Sequence, residues 1–151
     1  MRTSVLTTTT VFMLLSAAAN AASDDLVVRE SRYSVQQTAD RLVAALQGKG
    51  IVPVARIDHA AAAKASGLEL PPTQVVLFGK PELGTPLMQA EPKIAIDLPM
   101  RMLVWQDATG KVRVAYTKAD ALSDRYAITG KARNFSAMAS ALEAFAKAAT
   151  E

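Results

Sequence analysis

The sequence has no cysteine and a single histidine, His59, among its 151 residues. Without thiols there can be no disulfide framework, thiol nucleophile, cysteine-ligated zinc or iron–sulfur cluster. Catalytic or metal sites that need two histidines are excluded as well. Lysine and arginine exceed the acidic residues by only three, and the charges are scattered. No basic stripe with aromatic residues is present, so nucleic-acid binding is not predicted.

Residues 1–21 contain, in succession, the three regions of a secretory signal peptide. Arg2 forms a short positive region, residues 11–15 lie in an apolar segment, and small residues occupy both ends of 19–21. A membrane anchor is the alternative, but the apolar stretch is too short to span about 30 Å of hydrocarbon. We therefore predict cleavage after Ala21 or Ala22. The product should be periplasmic or secreted, with no membrane insertion after cleavage.

Residues 22–151 are predicted to form a single α+β domain. Half of the whole sequence is hydrophobic, which suits one packed core. Sequence periodicity predicts the order strand, helix, strand, helix, strand, helix, hairpin, helix. Because some connections are helical and one is a tight turn, we expect a mixed sheet of about five strands with helices packed on it.

Several local signals define the ends of these elements. Ser34 and Gln37 fit a capping box at the start of the first long helix. Asp58 is placed to cap a short alanine-rich helix, and Pro81 suits the first turn of another. Pro53 suggests that its strand lies at an edge of the sheet or carries a bulge. The final helix is predicted to bury one face, made of Phe135, Met138, Leu142, Phe145 and Ala149.

Several linked motifs resemble the family catalogued as domain of unknown function 302. They are Ile57–Lys64 with Gly67–Thr73, Phe78–Pro81 with Gly84–Gln89, Asp97-Leu98-Pro99, Val104-Trp105 and Tyr116. The resemblance covers most of the chain between Ser34 and Tyr126. It implies a compact α+β domain that is often a dimer, and it implies no particular reaction. Family members commonly have Asn where this chain has Lys80, so a role for Lys80 would be particular to this protein.

His59 follows Asp58 where a strand is expected to give way to a helix, a position that often faces a cleft. It is a candidate for ligand contact, proton transfer or metal ligation. The alternative is a helix-start histidine with a local hydrogen bond. Asp97 is its candidate partner in an acid–base or metal pair, and the alternative for Asp97 is acceptance of backbone amides in a turn. We predict that His59 and Asp97 share one pocket.

A second group of candidates surrounds a strand-to-helix turn. Gly79 and Lys80 precede a helix start that is suited to a carboxylate or phosphate, although plain turn chemistry explains them as well. Thr85, Met88 and Tyr116 are candidate wall residues of the same pocket, and Met88 is equally suited to the core.

No sequence motif specifies a reaction or a cofactor, so catalytic residues and cofactors stay unassigned. The leading hypothesis is a binding module of the cell envelope that holds a small ligand or an envelope protein and forms a homodimer. One alternative is an enzyme that uses His59 and Asp97. Another is a metal-handling protein with a site made of His59, Asp97 and Met88.

Overall fold

The computed structural model describes residues 25–151, so the predicted signal peptide lies outside the described residues. The described chain contains five strands, five α-helices and one short 3₁₀ helix, Pro92–Ile96. The strands are β1 (Leu26–Ser31), β2 (Ala55–Asp58), β3 (Thr73–Phe78), β4 (Met100–Gln106) and β5 (Val112–Thr117). The helices are α1 (Val35–Gln47), α2 (His59–Ala65), α3 (Pro81–Ala90), α4 (Ala119–Arg125) and α5 (Ala132–Thr150).

The strands form one sheet in the order β1-β5-β4-β3-β2, and all four neighbouring pairs are antiparallel. The α+β class and the five strands are confirmed, but the predicted mixed pairing is wrong. A helical connection between two strands permits parallel pairing but does not require it. Here α1 carries the chain from one edge strand, β1, to the other edge strand, β2. The connection through α3 and the 3₁₀ helix joins two antiparallel neighbours, β3 and β4.

Helices α1 and α5 pack against each other and against one face of the sheet. Alternation along the strands puts every second side chain on this covered face, as in the buried Val76, Met102 and Val114. The predicted apolar face of α5 is confirmed, since all five of its residues are buried. The core extends over most of the covered face, and its fully buried large residues include Leu42, Leu46, Leu87, Ile94, Leu122 and Leu142.

The capping signals are confirmed by hydrogen bonds. Gln37 donates its backbone N–H to Ser34 Oγ over 3.2 Å, and Gln37 Oε1 accepts the Ser34 N–H over 3.2 Å. Asp58 Oδ1 accepts the N–H of Ala61 over 2.8 Å at the start of α2. Pro81 is the first residue of α3. These signals are correct because each depends on residues only a few positions apart.

The position of β2 at an edge of the sheet confirms the interpretation of Pro53. The strand itself is shorter than expected and begins only at Ala55. Pro53 lacks a backbone N–H, so it cannot donate to a ladder, and regular pairing starts beyond it. The first bond of this segment to β3 is the one that Val54 N–H donates to the Leu77 carbonyl, over 2.8 Å.

Candidate functional site

An apolar cavity of about 520 Å³ lies where α3 and α5 meet one end of the sheet. Its walls come from the end of β3, the start of β4, the residues after the 3₁₀ helix, and the inner faces of the two helices. Most of the lining is aliphatic, aromatic or thioether: Ile51, Val54, Phe78, Leu83, Met88, Leu98, Met100, Met138, Leu142 and Phe145. Both the volume and the apolar lining are typical of a small-molecule site.

Two glycines belong to the wall beside α3. A Cβ added at Gly79 would lie 3.4 Å from the Pro99 Cβ, so this turn packs directly on the segment before β4. At Gly84, inside α3, an added Cβ would lie 3.7 Å from Leu98 Cδ1 and 3.9 Å from Met88 Cε, which are ordinary van der Waals distances. These contacts place the start of α3 directly against the Leu98-Pro99 wall.

Polar side chains are few around the cavity. Among the lining residues only Lys80 and Thr85 carry a charged or hydrogen-bonding side chain, and both are exposed at the N-terminal half of α3. Lys80 is the N-cap residue of α3, and its side chain makes no capping bond. The cavity is therefore an apolar space with one cation and one hydroxyl group at its mouth.

Asp97 lies just outside this cavity and is engaged elsewhere. Its Oδ2 accepts hydrogen bonds from Arg125 Nη1 over 2.9 Å and from the Tyr126 hydroxyl over 2.7 Å. Arg101 Nη2 approaches its Oδ1 at 3.7 Å. Arg125 also bonds Asp25 over 3.0 Å, just before β1. The carboxylate thus fastens the cavity wall at residues 95–99 to the end of α4.

The same contacts perturb the partners of Asp97. The hydrogen bond to the carboxylate raises the pKa of Tyr126, because loss of the phenolic proton would put two negative charges side by side. The hydrogen bonds to Asp97 and Asp25 likewise raise the pKa of Arg125. With these partners the Asp97 carboxylate holds three segments of the chain together.

His59 lies on the other face of the sheet. It borders a depression of about 430 Å³ whose lining includes Ile57, Val75, Leu77 and Leu103. We call this side of the sheet the open face. Three of its apolar side chains remain 42–51% exposed, namely Leu26, Val28 and Ile57.

Tyr116 borders the depression around His59, but its hydroxyl group belongs to the covered side. It donates to Glu143 Oε2 on α5 over 3.0 Å, and Arg29 pairs with the other carboxylate oxygen. Burial, followed by the hydrogen bond to Glu143, raises the pKa of Tyr116. The hydrogen bonds from Arg29 and Tyr116 lower the pKa of Glu143. This cluster fastens α5 to β1 and β5.

The structure separates the residues that the sequence placed together. Asp58 pairs with Gln74 near the start of β3, whereas Phe78, at the end of β3, pairs with Met100. The Asp58-His59 junction and the segment around Asp97 therefore lie at opposite ends of this strand, and the predicted shared pocket is wrong. Antiparallel pairing is the reason. The end of β2 lies beside the start of β3, whereas the start of β4 lies beside the end of β3.

The other candidates divide between the two regions. Gly79, Lys80, Thr85 and Met88 line the cavity, whereas His59 borders the open face and Asp97 lines neither region. The three residues of the hypothetical metal site, His59, Asp97 and Met88, therefore lie in three different places. Within residues 25–151, no group of three or more histidine or acidic side chains is close enough together to hold a metal ion.

Sequence reasoning missed most of the cavity lining. Leu98, Met138, Leu142 and Phe145 fit the pattern of ordinary core residues, and α5 was correctly predicted to bury this face. Periodicity shows that a side chain is turned inward but not whether it meets another side chain or an empty space. The spacing of these residues is the same for a cavity wall and for a filled core, so the sequence gives no signal that separates the two.

Some of the matching motifs share a location, since those around Gly79, Thr85 and Pro99 form walls of the cavity, whereas the motifs between Ile57 and Thr73 lie elsewhere. The model of the family described as domain of unknown function DUF302 matches residues 27–147. This chain belongs to that family. The described fold agrees as well: the crystal structure of an uncharacterized conserved DUF302 protein from Bacillus stearothermophilus superimposes with a TM-score of 0.74. The two are 14% identical, and the match covers 84% of this chain and 99% of that one.

Curated relatives of this DUF302 chain carry the name of a membrane channel. It is 43% identical over 103 residues to the fluoride-specific ion channel FluC 1 of Brucella suis, and equally so to that of Brucella abortus. The match covers 68% of this chain but only 41% and 38% of those proteins. Among residues 25–151 of this chain, no helix is both long and apolar enough to cross a membrane. The channel name thus belongs to proteins of which this chain spans about two fifths.

Proposed function

We propose that this DUF302 protein is an exported module of the cell envelope that binds a small, largely apolar ligand. The observation that carries the proposal is the cavity beside α3. It is concave, of ligand size, and lined almost wholly by apolar side chains, with polar groups only at its mouth. Binding of a ligand that removes apolar surface of this kind from water is favourable.

Binding is favoured over catalysis by the chemistry of the lining. No carboxylate, histidine or other general acid–base group except Lys80 lines the cavity. His59 and Asp97, the pair on which an enzyme was hypothesised, are separated by the antiparallel register. General acid–base catalysis needs such groups within hydrogen-bond reach of one substrate.

The test uses a neutral fluorescent probe, N-phenyl-1-naphthylamine, whose emission rises in apolar surroundings. The purified protein should enhance its fluorescence saturably. Ala141→Phe projects a ring from α5 into the cavity and should weaken probe binding strongly. Ala137→Phe is the matched control, because Ala137 is exposed on the same helix and does not line the cavity. Equal binding by both variants would reject the cavity as the site.

Export is the second part of the proposal, and the N-terminal sequence supports it. Residues 1–21 have the charge, apolar segment and small-residue positions of a cleavable signal peptide. Intact-mass measurement of protein recovered from the periplasm or medium should show loss of residues up to Ala21 or Ala22. A full-length species retained in the membrane would contradict this part alone.

We further propose that the open face pairs with a second copy of the chain. Leu26, Val28 and Ile57 give this face an exposed apolar surface on both edge strands. Exposed apolar patches on a folded domain commonly mark association sites. A face that lies on one side of a single sheet can meet its own copy about a two-fold axis. Light scattering on the mature protein should therefore give the mass of two subunits.

A further inference from the structure

We propose that the cavity selects ligands with an apolar body and one anionic head group, and that the Lys80 ammonium group holds the head. This inference rests on the proposed ligand-binding function and names the class of ligand. It depends on the distribution of charge around the cavity rather than on the existence of the cavity.

Lys80 is the sole charged residue among those that line the cavity. It is exposed at the mouth, and no ion pair joins it to an acidic group of the described chain. No acidic side chain contributes to the lining, so nothing there would repel an anion or compete for the lysine. A positive charge at the entrance of an apolar cavity is complementary to an amphiphile whose charged end faces solvent.

The backbone at the start of α3 offers an anion little besides the amide of Glu82, whose own side chain is acidic. Pro81 has no N–H group, and the amides of Leu83 and Gly84 both donate to the Lys80 carbonyl, over 3.0 and 3.1 Å. The head group is therefore assigned to the lysine side chain. Thr85, one turn further along α3, adds a hydroxyl group at the same mouth.

The two parts of such a ligand have different roles. Burial of its apolar body among Phe78, Leu98 and Phe145 supplies most of the affinity. The anionic head stays at the mouth, because an ion buried in an apolar cavity without partners is strongly unfavourable. At an exposed position its pairing with Lys80 contributes selectivity of about two- to fivefold, as expected for a surface ion pair.

The experiment compares three probes with the same ten-carbon chain: decanoate, 1-decanol and decylammonium. Calorimetric titration of the purified protein should give the order decanoate, 1-decanol, decylammonium from tightest to weakest. Lys80→Met keeps the length of the side chain and removes its charge, so decanoate should lose its advantage of about two- to fivefold over 1-decanol. Binding of 1-decanol should change little.

Two further variants make the outcome specific. Lys80→Arg should retain the preference for decanoate. Lys64→Met removes a lysine on α2 that does not line the cavity and should leave all three affinities unchanged. Equal binding of decanoate and 1-decanol by the unmodified protein, or an unchanged preference in Lys80→Met, would overturn the inference and leave the binding function intact. Failure of all three probes to bind would overturn both.

Discussion

The cavity beside α3 and the depression around His59 on the open face are both concave and mostly apolar, but different parts of the fold form them. The cavity lies between two helices and the ends of two strands. The open face is a single layer of strands whose apolar side chains Leu26, Val28 and Ile57 remain exposed. Side chains from two layers can surround a small molecule, whereas a single uncovered layer can also lose its water to another extended surface. Hydrophobicity alone therefore does not distinguish a surface suited to a ligand from one suited to association.

The largest expected effect is the loss of the dimer proposed for the open face. Val28→Glu places a carboxylate on β1 in the exposed apolar surface. Desolvating that charge in a paired face is so costly that the variant should be a monomer. Light scattering and sedimentation should show the mass fall from two subunits to one. Val52→Glu is the control, because Val52 is 79% exposed and precedes β2.

Two results would contradict this prediction. A monomeric unmodified protein would remove the proposed dimer altogether. A Val28→Glu variant that dimerises as tightly as Val52→Glu would leave a dimer but assign it to another surface.

The next effect is a difference in stability between variants of Asp97 and His59, the two residues that were predicted to share a pocket. Asp97→Ala leaves Arg125 and the Tyr126 hydroxyl without their acceptor and, because these groups are partly exposed, should lower the free energy of unfolding by about 1 kcal/mol. His59→Ala, at an exposed position on the open face, should change it by no more than about 0.5 kcal/mol. Denaturant unfolding of both variants measures the difference. Equal losses would show that His59 supports the fold as Asp97 does.

A smaller effect on stability tests whether the cavity contains unfilled space. Ala141→Leu adds apolar atoms to unfilled space and should raise the free energy of unfolding by about 0.5–1 kcal/mol. Ala137→Leu adds the same atoms to the exposed side of α5 and should have little effect. Thermal unfolding without ligand compares the two. Destabilisation by Ala141→Leu alone would mean that the space is closed in solution.

The smallest effect concerns pH and the contacts on the covered side. Because Arg29 and Tyr116 lower the pKa of Glu143, its carboxylate releases a proton more readily in the folded state. The resulting stability is present above the pKa of the unfolded chain and is lost as pH falls through the folded pKa. Glu143→Gln should therefore reduce stability at neutral pH, and its difference from the unmodified protein should vanish in acid. Glu69→Gln is the control, since Glu69 is exposed.

Most elements of this fold were predicted because their signals are local, although α4 was missed and the segment after the hairpin was expected to have no helix. The capping box at Ser34, the N-cap at Asp58 and the apolar face of α5 each depend on residues within a few turns of one another. The site was predicted only in part. Gly79, Lys80 and Thr85 line the cavity, but their relation to Leu98 and to α5 depends on contacts between distant parts of the chain.

The sequence by itself determined the family, the α+β class, the presence of five strands and the ends of most helices. Only the tertiary structure decided the antiparallel order β1-β5-β4-β3-β2, the separation of His59 from Asp97 and the existence of the cavity. The physical reason is the range of the interactions. Helix caps and side-chain periodicity act over one or two turns of chain, whereas strand order, register and cavity volume arise when distant segments pack together.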